Sequence, residues 1–411
     1  MTSKSTKHII IANAPIENGN RGCTALTYSA IILIDNIAQA EHFDYKIYLP
    51  DSGMRIPRQT EIDINGKKIP LYPIRHLFIH RNPLALIHYL AHPVAWLKNL
   101  KLYKNTTCVL DLGQGDSFAD IYGEERFRTI DLIHRECRLL NRPYCFMPQT
   151  IGPFNQNDIR KKAIKSLRNA QLVMTRDKQS YEYTTQQLKI NDVVSLTDLA
   201  FFLPFKPLLF DKSKVNIGLN ISALLWNNGY TGKNEFQLTF DYKETIKQIL
   251  EHLLSLPDTV VHLVAHVVNS EHQIENDYEV CSGLYYQYAS ERVRLAPLFL
   301  SPIEAKNYIA GLDFFIGARM HSTIAAFSSS VPVLPMSYSR KFEGLFCDTL
   351  GYNHIVNMRN TTAEDAIAMI DEAYNNRQSI KQQLQRADKE TVEPLKAELT
   401  KRLSEFINGH N

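Results

Sequence analysis

The sequence predicts an α/β protein built from two Rossmann-like domains that face each other across a cleft. Short apolar segments alternate with amphipathic helical segments along most of the chain, and this alternation is typical of parallel sheets covered by helices. The series of strands starts again near Val215. The length of 411 residues is two to three times that of a typical domain. In such folds ligands bind where the carboxyl ends of the strands meet the following loops.

The first series predicts five strands and three helices, assigned from apolar runs and helical spacing respectively. The strands are 9–12, 45–49, 108–112, 144–148 and 172–175, and the helices are 25–37, 127–140 and 158–170. Residues 193–204 are expected to cross to the second domain, followed by a loop at 206–214. We therefore place an N-terminal α/β domain at 1–205, on the acceptor side of the cleft.

The second series predicts a C-terminal α/β domain at 206–375, on the donor side. Its strands are 215–221, 260–267, 293–295, 314–316 and 332–336, and its helices are 242–254, 271–288, 303–310, 321–329 and 341–350. Residues 363–407 are helical and highly charged, with Pro394 as the one helix breaker. We expect the helical tail, 376–411, to pack back across both domains.

Composition excludes several classes of protein. The chain is 44% apolar and 22% charged, which is ordinary for a globular protein. Its net charge of +3 is too balanced for a dedicated nucleic-acid binder. Six scattered cysteines without a C-x-x-C pair suggest neither a disulfide framework nor a zinc ribbon. The chain lacks a signal-peptide core and a long apolar run, so we expect a cytoplasmic protein.

Basic charge is concentrated in one stretch. Residues 64–110 contain no Asp or Glu but seven Lys and Arg, interleaved with His and with aromatic residues that include Trp96 and Tyr103. Such a pattern is typical of a face for anionic lipid or a lipid pyrophosphate. A solvated helix over the core explains the pattern equally well, and both interpretations remain open.

Four loops that follow predicted strands contain unusual polar or glycine-rich residues. The first is 18–22, where Asn20 and Gly22 open a helix whose N–H groups are expected to approach an anion. The second is 111–117, where Gly115 precedes Asp116, a candidate general base or a simple N-cap. The third begins at Gln149. The fourth begins at Arg176, which is either a ligand-binding residue or the ion-pair partner of a neighbouring Asp.

The most informative segment is 315–322, where an apolar strand leads to Arg319 and His321 at the start of a helix. Arg binds phosphate or carboxylate with two donors, and the helix dipole favours an anion at the same place. Histidine side chains can donate or accept a proton, so His321 is suited to proton transfer. The next junction adds Tyr338, Arg340 and Lys341, and His266 is a weaker candidate at the end of another strand. The sequence contains no H-E-x-x-H, P-loop, G-x-G-x-x-G or G-x-S-x-G motif.

These motifs, in this order, resemble the polysaccharide pyruvyl transferases. The resemblance extends from Gly19-Asn20-Arg21-Gly22 to Lys341-Phe342-Glu343-Gly344. It includes Gly-x-Gly-Asp at 113–116, Pro-Gln-Thr-Ile-Gly-Pro at 148–153, Thr-Arg-Asp at 175–177, Asp-Leu-Ala-Phe at 198–201 and, above all, Gly-Ala-Arg-Met-His-Ser at 317–322. It implies a GT-B-like fold and transfer of pyruvate from phosphoenolpyruvate to a sugar, forming a cyclic ketal on a cell-surface glycan or its lipid-linked precursor.

The resemblance and the loop chemistry together define the predicted site. Arg176, Arg319 and His321 match donor-binding and catalytic positions, and either Arg340 or Lys341 faces the donor. We predict His321 and Asp116 as catalytic, and as substrate-binding Arg176, Arg319, Lys341, Arg340, Asn20, Gly22, Gly115, Gln149 and Tyr338. The expected chemistry needs no metal and no cofactor besides the donor substrate. Two other functions remain possible: a GT-B glycosyltransferase that uses a nucleotide sugar, and a non-catalytic protein that binds an anionic ligand or glycan.

Overall fold

The computed structural model describes residues 6–51, 60–77, 93–268 and 273–409, and it contains two largely parallel sheets covered by helices. In the first half of the chain the strands are β1 (Thr6–Ala12), β2 (Asp44–Asp51), β3 (Thr60–Ile64), β4 (Lys67–Arg75), β5 (Cys108–Asp111), β6 (Tyr144–Gln149), β7 (Leu172–Thr175) and β8 (Val193–Ser195). The helices are α1 (Arg21–Ala40), α2 (Pro93–Asn105), α3 (Glu124–Leu140), α4 (Asn157–Asn169) and α5 (Lys178–Glu182).

The second half contributes six strands and nine helices to the described part of the chain. The strands are β9 (Val215–Asn220), β10 (Thr259–Val264), β11 (Val293–Leu295), β12 (Phe314–Gly317), β13 (Val333–Ser337) and β14 (Val356–Asn357). The helices are α6 (Ala223–Trp226), α7 (Tyr242–Ser255), α8 (Asp277–Tyr288), α9 (Pro302–Ala310), α10 (Met320–Ser328), α11 (Arg340–Phe342), α12 (Ala363–Asn375), α13 (Arg377–Ala387) and α14 (Glu393–Asn408).

The first sheet has eight strands in the order β3-β4-β2-β1-β5-β6-β7-β8. All neighbouring pairs are parallel except the β3–β4 hairpin. Its central strands are buried on both faces because helices cover both sides of the sheet. The sequences of these strands are therefore largely continuous apolar runs. A cluster of buried aromatic and aliphatic side chains fills the space between sheet and helices.

The second sheet is entirely parallel, with six strands in the order β11-β10-β9-β12-β13-β14. Its central strands, β9, β12 and β13, are buried along almost their whole length. The predicted strands of the second series all form in this sheet, with ends shifted by a few residues. The α/β fold class predicted from the alternation of apolar segments is therefore confirmed.

The chain divides into two compact units. Unit 1 comprises 1–15, 30–198 and 396–411, and unit 2 comprises 16–29 and 199–395. These units differ from the predicted domains in three respects. First, the boundary after Asp198 lies seven residues before the predicted boundary at 205. Second, the segment 16–29, which includes the start of α1, belongs to unit 2. Third, the helical tail is divided between the two units within α14. In unit 1, Lys7 Nζ donates to the carbonyl oxygen of Ile407 (2.9 Å), which fixes the end of that tail.

The basic stretch at 64–110 contains more regular structure than the sequence suggested. β4 pairs with β2 inside the first sheet, and two of its lysines form ion pairs, Lys67 with Asp35 (2.6 Å) and Lys68 with Glu61 (2.5 Å). Tyr103 is fully buried in the core, so it does not belong to an exposed face for anionic lipid, as we expected from the sequence. Residues 78–92 lie outside the described part of the chain. No described helix is both long and apolar enough to cross a bilayer.

Candidate active site

The predicted site residues of unit 2 gather at the carboxyl edge of its sheet. The neighbouring strands β10, β9, β12 and β13 are parallel, so the loops that follow them emerge at one edge. Arg319 and His321 follow β12, and Tyr338, Arg340 and Lys341 follow β13. The segment 16–29, which includes the start of α1, reaches the same edge, because Asn20 forms an isolated bridge with Val267 after β10.

Arg319 is held by a buried carboxylate that sequence reasoning missed. Both its Nε (3.2 and 3.3 Å) and its Nη2 (2.7 Å) bond to the carboxylate of Asp277, at the start of α8. Burial lowers the pKa of Arg319, but Asp277 outweighs that effect and raises the pKa above its usual range. Arg319 is 9% exposed. The guanidinium therefore stays charged, and its Nη1 is the nitrogen that the bonds within the described chain do not use.

Asp277 also organises the neighbouring loops. Its carboxylate accepts backbone N–H bonds from Ala223 (2.8 Å), His266 (3.3 Å) and Val267 (2.9 Å). One buried side chain thus ties together the loop after β9, the loop after β10 and the guanidinium of Arg319. Nothing in the local sequence separates Asp277 from an ordinary helix N-terminal acid, because its partners are 10 to 54 residues away.

His321 lies against the backbone of Gly22. A methyl group built on Gly22 would be 2.4 Å from His321 Nδ1, 2.7 Å from Cγ and 2.9 Å from Cβ. A glycine is therefore required at position 22 for the imidazole to occupy its observed place. The sequence singled out Gly22 for a different reason, the approach of an anion to the helix N-terminus.

The first N–H groups of α1 already have protein partners. The N–H of Arg21 donates to the carbonyl of His266 (3.0 Å), and those of Gly22 and Cys23 donate to Asn20 Oδ1 (2.9 and 3.4 Å). Asn20 is thus the N-cap of α1. Asn20 satisfies these N–H groups with its side-chain oxygen, and the predicted contact of Asn20 and Gly22 with an anionic substrate stays a prediction.

His266 lies within electrostatic reach of three basic side chains. It is almost completely buried, and desolvation, followed by the charges of His321, Arg319 and Arg21, holds its pKa well below the usual range. His266 is therefore a neutral imidazole at neutral pH. The guanidinium groups of Arg319 and Arg21 and the imidazole of His321 act on His266 from one region of unit 2, which makes that region a candidate anion site.

Tyr338 connects this region to the loop after β13. The Tyr338 ring lies 5.7 Å from Lys341 Nζ and close enough to Arg319 to contribute to the shift in its pKa. It packs edge-on against Phe236 and is 8% exposed. Arg340 and Lys341 are both half-buried. Which of the two faces a ligand stays a prediction.

The remaining predicted residues belong to unit 1, at the carboxyl edge of its own sheet. Gly113, Gln114 and Gly115 follow β5 with three successive positive φ angles, +51°, +49° and +89°. A methyl group on Gly113 would lie 1.8 Å from Gln149 Oε1. Gln149 is fully buried and donates to the carbonyl of Asp111 (3.0 Å), while its Oε1 has no hydrogen-bond partner in the described chain. Gln149 therefore packs beneath the glycine turn.

Arg176 has protein partners on two sides. Its Nη1 bonds to Asp198 (2.7 Å), its Nε donates to Thr150 (2.9 Å), and the side chain is 1% exposed. The predicted alternative of a pairing with the adjacent Asp177 is replaced by one with Asp198. This burial favours a structural role, and the predicted contact with a donor stays a prediction. Asp116 is half-buried, accepts a bond from Tyr122 (3.0 Å) and lies within electrostatic reach of Arg176.

A buried charge network behind this edge was also missed. His134 on α3 bonds to Asp111 (3.1 Å) and Asp131 (3.1 Å) and is completely buried. Desolvation lowers the pKa of His134, but the two carboxylates outweigh it and raise the pKa to about 9. His134 is therefore a buried cation that fixes Asp111 at the end of β5. Among the described residues, no three His, Cys, Asp or Glu side chains gather as a metal site.

Comparisons with known proteins identify relatives of the chain. A family profile described as polysaccharide pyruvyl transferase matches residues 113–340, more than half of the chain. The amylovoran biosynthesis protein AmsJ of Erwinia amylovora is 23% identical over 295 residues, which cover 69% of each protein. The profile includes the strand-end motifs of both units, from the glycine turn to Arg340.

Solved structures resemble the whole fold. HepE of Anabaena in complex with UDP-glucose is 14% identical, with a TM-score of 0.56 over 97% of this chain and 99% of that one. A putative UDP-N-acetylglucosamine 2-epimerase of Listeria monocytogenes is 13% identical, with a TM-score of 0.57 over 93% and 91%. Sucrose-phosphate synthase of Thermosynechococcus elongatus is 11% identical, with a TM-score of 0.57 over 98% of each. At these identities the likeness concerns the GT-B fold alone.

Proposed function

The chain belongs to the polysaccharide pyruvyl transferase family, and from that premise we propose that it transfers the pyruvyl group of phosphoenolpyruvate to two hydroxyls of one sugar. The acceptor is a sugar of a polysaccharide or of its lipid-linked precursor. The products are a cyclic pyruvate ketal and inorganic phosphate. Among the structural observations, the proposal depends most on the basic region at the carboxyl edge of the unit 2 sheet, where His321 lies against Gly22 and Asp277 fixes the guanidinium of Arg319.

The charge of the donor suits this region. Phosphoenolpyruvate carries about three negative charges at neutral pH, since the second pKa of a phosphate is near 6. The Nη1 of Arg319 offers a donor in a direction that Asp277 fixes, and the guanidinium of Arg21 adds positive charge nearby. Lys341 and Arg340 are the candidates for a further contact. A preorganised set of this kind holds a small trianion in one orientation.

The proposed reaction is balanced in atoms and charge. A proton is added to the methylene carbon of the donor, which becomes a methyl group and leaves positive charge on the adjacent carbon. One sugar hydroxyl forms a C–O bond to that carbon and loses its proton. The C–O bond to phosphate breaks, the second hydroxyl attacks the same carbon, and its proton is also released. One of the two released protons replaces the proton given to the methylene carbon, and the other leaves with the phosphate as HPO₄²⁻.

We assign the first proton transfer to His321. The imidazole is half-buried and cannot shift toward Gly22 without a clash, so its position is well defined. Asp116 in unit 1 remains our candidate for the base that removes a hydroxyl proton. His321→Ala is expected to bind phosphoenolpyruvate and to lose about 10²–10⁴-fold in kcat. A variant that raises only the donor KM would make His321 a binding residue.

Ligand-induced stabilisation tests the donor. We expect phosphoenolpyruvate to raise the melting temperature of the protein, whereas UDP-, GDP- and CMP-sugars leave it unchanged, because a ligand that binds only the folded state stabilises it. The turnover test uses phosphoenolpyruvate labelled with ¹³C at its methylene carbon and glycan precursors from the producing cells. A ketal methyl resonance in the product supports the reaction. Stabilisation by a nucleotide sugar alone would favour a glycosyltransferase.

Helix α2 supports a further part of the proposal, contact with an anionic membrane surface. Lys98, Lys101 and Lys104 are exposed on this helix, together with Val94 (64% exposed) and Leu97 (56%). Each lysine near an anionic bilayer contributes about 1 kcal/mol. We expect salt-sensitive binding to vesicles of phosphatidylglycerol and phosphatidylcholine, weakened when all three lysines are changed to Glu. Equal binding to neutral vesicles, or none to either kind, would leave α2 as a solvated face.

A further inference from the structure

A basic groove lies between α3 and α4 on unit 1, and none of the residues predicted for the site lines it. The cavity has a volume of about 460 Å³ and is lined by Arg128, Arg135, Arg138, Lys162, Lys165 and, as its acid, Asp131. Five basic side chains and a single carboxylate thus line the groove. Neither the family resemblance nor the proposed reaction assigns this groove a role.

The carboxylates near the groove have other partners. Asp131 is buried, accepts bonds from the Ser166 hydroxyl and from His134 Nδ1, and so compensates the buried charge of His134. Glu124 pairs with both Arg128 (2.6 Å) and Lys162 (3.5 Å) and neutralises only one charge between them. Arg138 and Lys165 form no ion pair with a carboxylate of the described chain. The groove therefore keeps the positive charges of Arg138 and Lys165, and one charge of the pair Arg128 and Lys162, which no carboxylate of the described residues balances.

The arrangement of these charges points to an extended ligand. Arg128, Arg135 and Arg138 occur along one helix, and at 1.5 Å per residue they span roughly 15 Å. Lys162 and Lys165 add a second row on the facing helix. A compact anion such as pyrophosphate would engage one end of such a row. A chain with regularly spaced negative charges would engage its whole length.

From this arrangement we infer that the groove binds an anionic polysaccharide strand, by carboxylates carried on successive sugars. The inference rests on the proposed function for one point: each pyruvyl ketal adds a carboxylate, so the product becomes a polyanion as modification proceeds. Binding of modified repeats in the groove would retain the polymer between reactions. The groove itself contributes no group to the chemistry.

Binding of a defined acidic glycan tests the inference. The probe is an end-labelled octamer of galacturonate, with a neutral malto-octaose as control, measured by fluorescence anisotropy at several salt concentrations. The double variant Arg135→Glu, Lys165→Glu should weaken binding about tenfold, as the sum of several modest charge contacts. The matched double variant Lys161→Glu, Arg168→Glu changes the net charge equally, at exposed positions of α4 that do not line the groove, and should lose at most about twofold.

Three results would overturn the inference. Equal losses in the two double variants would show that bulk charge, not the groove, attracts the probe. Equal affinity for a single-stranded DNA octamer would indicate a general polyanion surface, and competition by micromolar pyrophosphate would indicate a phosphate site. Stabilisation by phosphoenolpyruvate is measured on the same variants and should be unchanged. If phosphoenolpyruvate did not stabilise the wild-type protein, that result would contradict the proposed function and leave the test of the groove unaffected.

Discussion

The contact between Gly22 and His321 allows a quantitative test of the site, because one methyl group disturbs it. In Gly22→Ala the new Cβ would lie 2.4 Å from Nδ1, and 2.9 Å from the Cβ of His321 itself. Ordinary carbon contacts are about 3.5–4.0 Å, so the imidazole has to move by about 1 Å. Rotation of the imidazole ring does not relieve the contact between the new methyl group and the Cβ of His321, so the whole His321 side chain has to shift.

The expected loss follows from the sensitivity of catalysis to position. A displacement of 1 Å in a catalytic group costs about 10²-fold in rate, equivalent to about 3 kcal/mol of transition-state stabilisation. Phosphate release from phosphoenolpyruvate in the presence of acceptor glycan measures kcat. Donor binding, measured by thermal stabilisation, should change little, because the three atoms nearest to the added methyl all belong to His321. Folding should be preserved, since alanine is the better helix former at the start of α1.

Gly283→Ala is the matched control. Gly283 lies within α8, and a methyl group built there meets no atom within 4 Å. This variant should keep full activity and gain up to about 1 kcal/mol in stability. If Gly22→Ala retained the kcat of the wild-type protein, proton transfer from the observed position of the His321 imidazole would be refuted.

Three further predictions concern buried charges. Arg319→Ala should weaken donor binding about tenfold or more, since a hydrogen bond to a charged group is worth about 1.5–3 kcal/mol, and near-normal affinity in a folded variant would contradict the assignment. Asp277→Asn should raise the donor KM more than it lowers kcat, because the guanidinium of Arg319 loses its charged partner; an unchanged KM would make Asp277 purely structural. The pKa of His134 is raised from 6.5 to about 9, so protonation of this side chain stabilises the folded protein by about 3 kcal/mol. This stabilisation is fully present below pH 6.5 and is lost as the pH rises through 9. Urea unfolding at pH 6 and pH 10 measures that loss, which should be largely absent in His134→Gln.

The sequence predicted the elements whose environment is uniform along their length. Strands such as β6 and β13 are buried on both faces, so a short apolar run is enough to locate them. The β3–β4 hairpin was not predicted, although Asn65-Gly66 is a strong hairpin signal between two segments with alternating burial. Both residues have positive φ, +53° and +86°, as a two-residue turn of this kind requires.

For the candidate site, the sequence singled out residues at the ends of strands but not the contacts that these residues make. Gly22 and Arg176 were singled out as ligand-binding residues, yet Gly22 makes room for His321 and Arg176 pairs with Asp198. Each of these partners is distant in the sequence, and the contact depends on which strands become neighbours in a sheet. Asp277 and His134 had no local signal at all, because an acid at a helix start and a histidine on an apolar helix face are both common.

The pairing of Arg319 with Asp277 shows which property of the arginine the site exploits. If attraction to an anion depended on net charge alone, a buried carboxylate beside the guanidinium would be a disadvantage, because it cancels the charge. The carboxylate instead occupies Nε and Nη2 and thereby fixes the direction of Nη1. A fixed donor loses little conformational entropy when a ligand binds, and it discriminates between anions by geometry. An arginine fixed in this way is suited to orient a ligand, and the reaction that we propose, with protonation at one carbon and attack at its neighbour, requires such orientation.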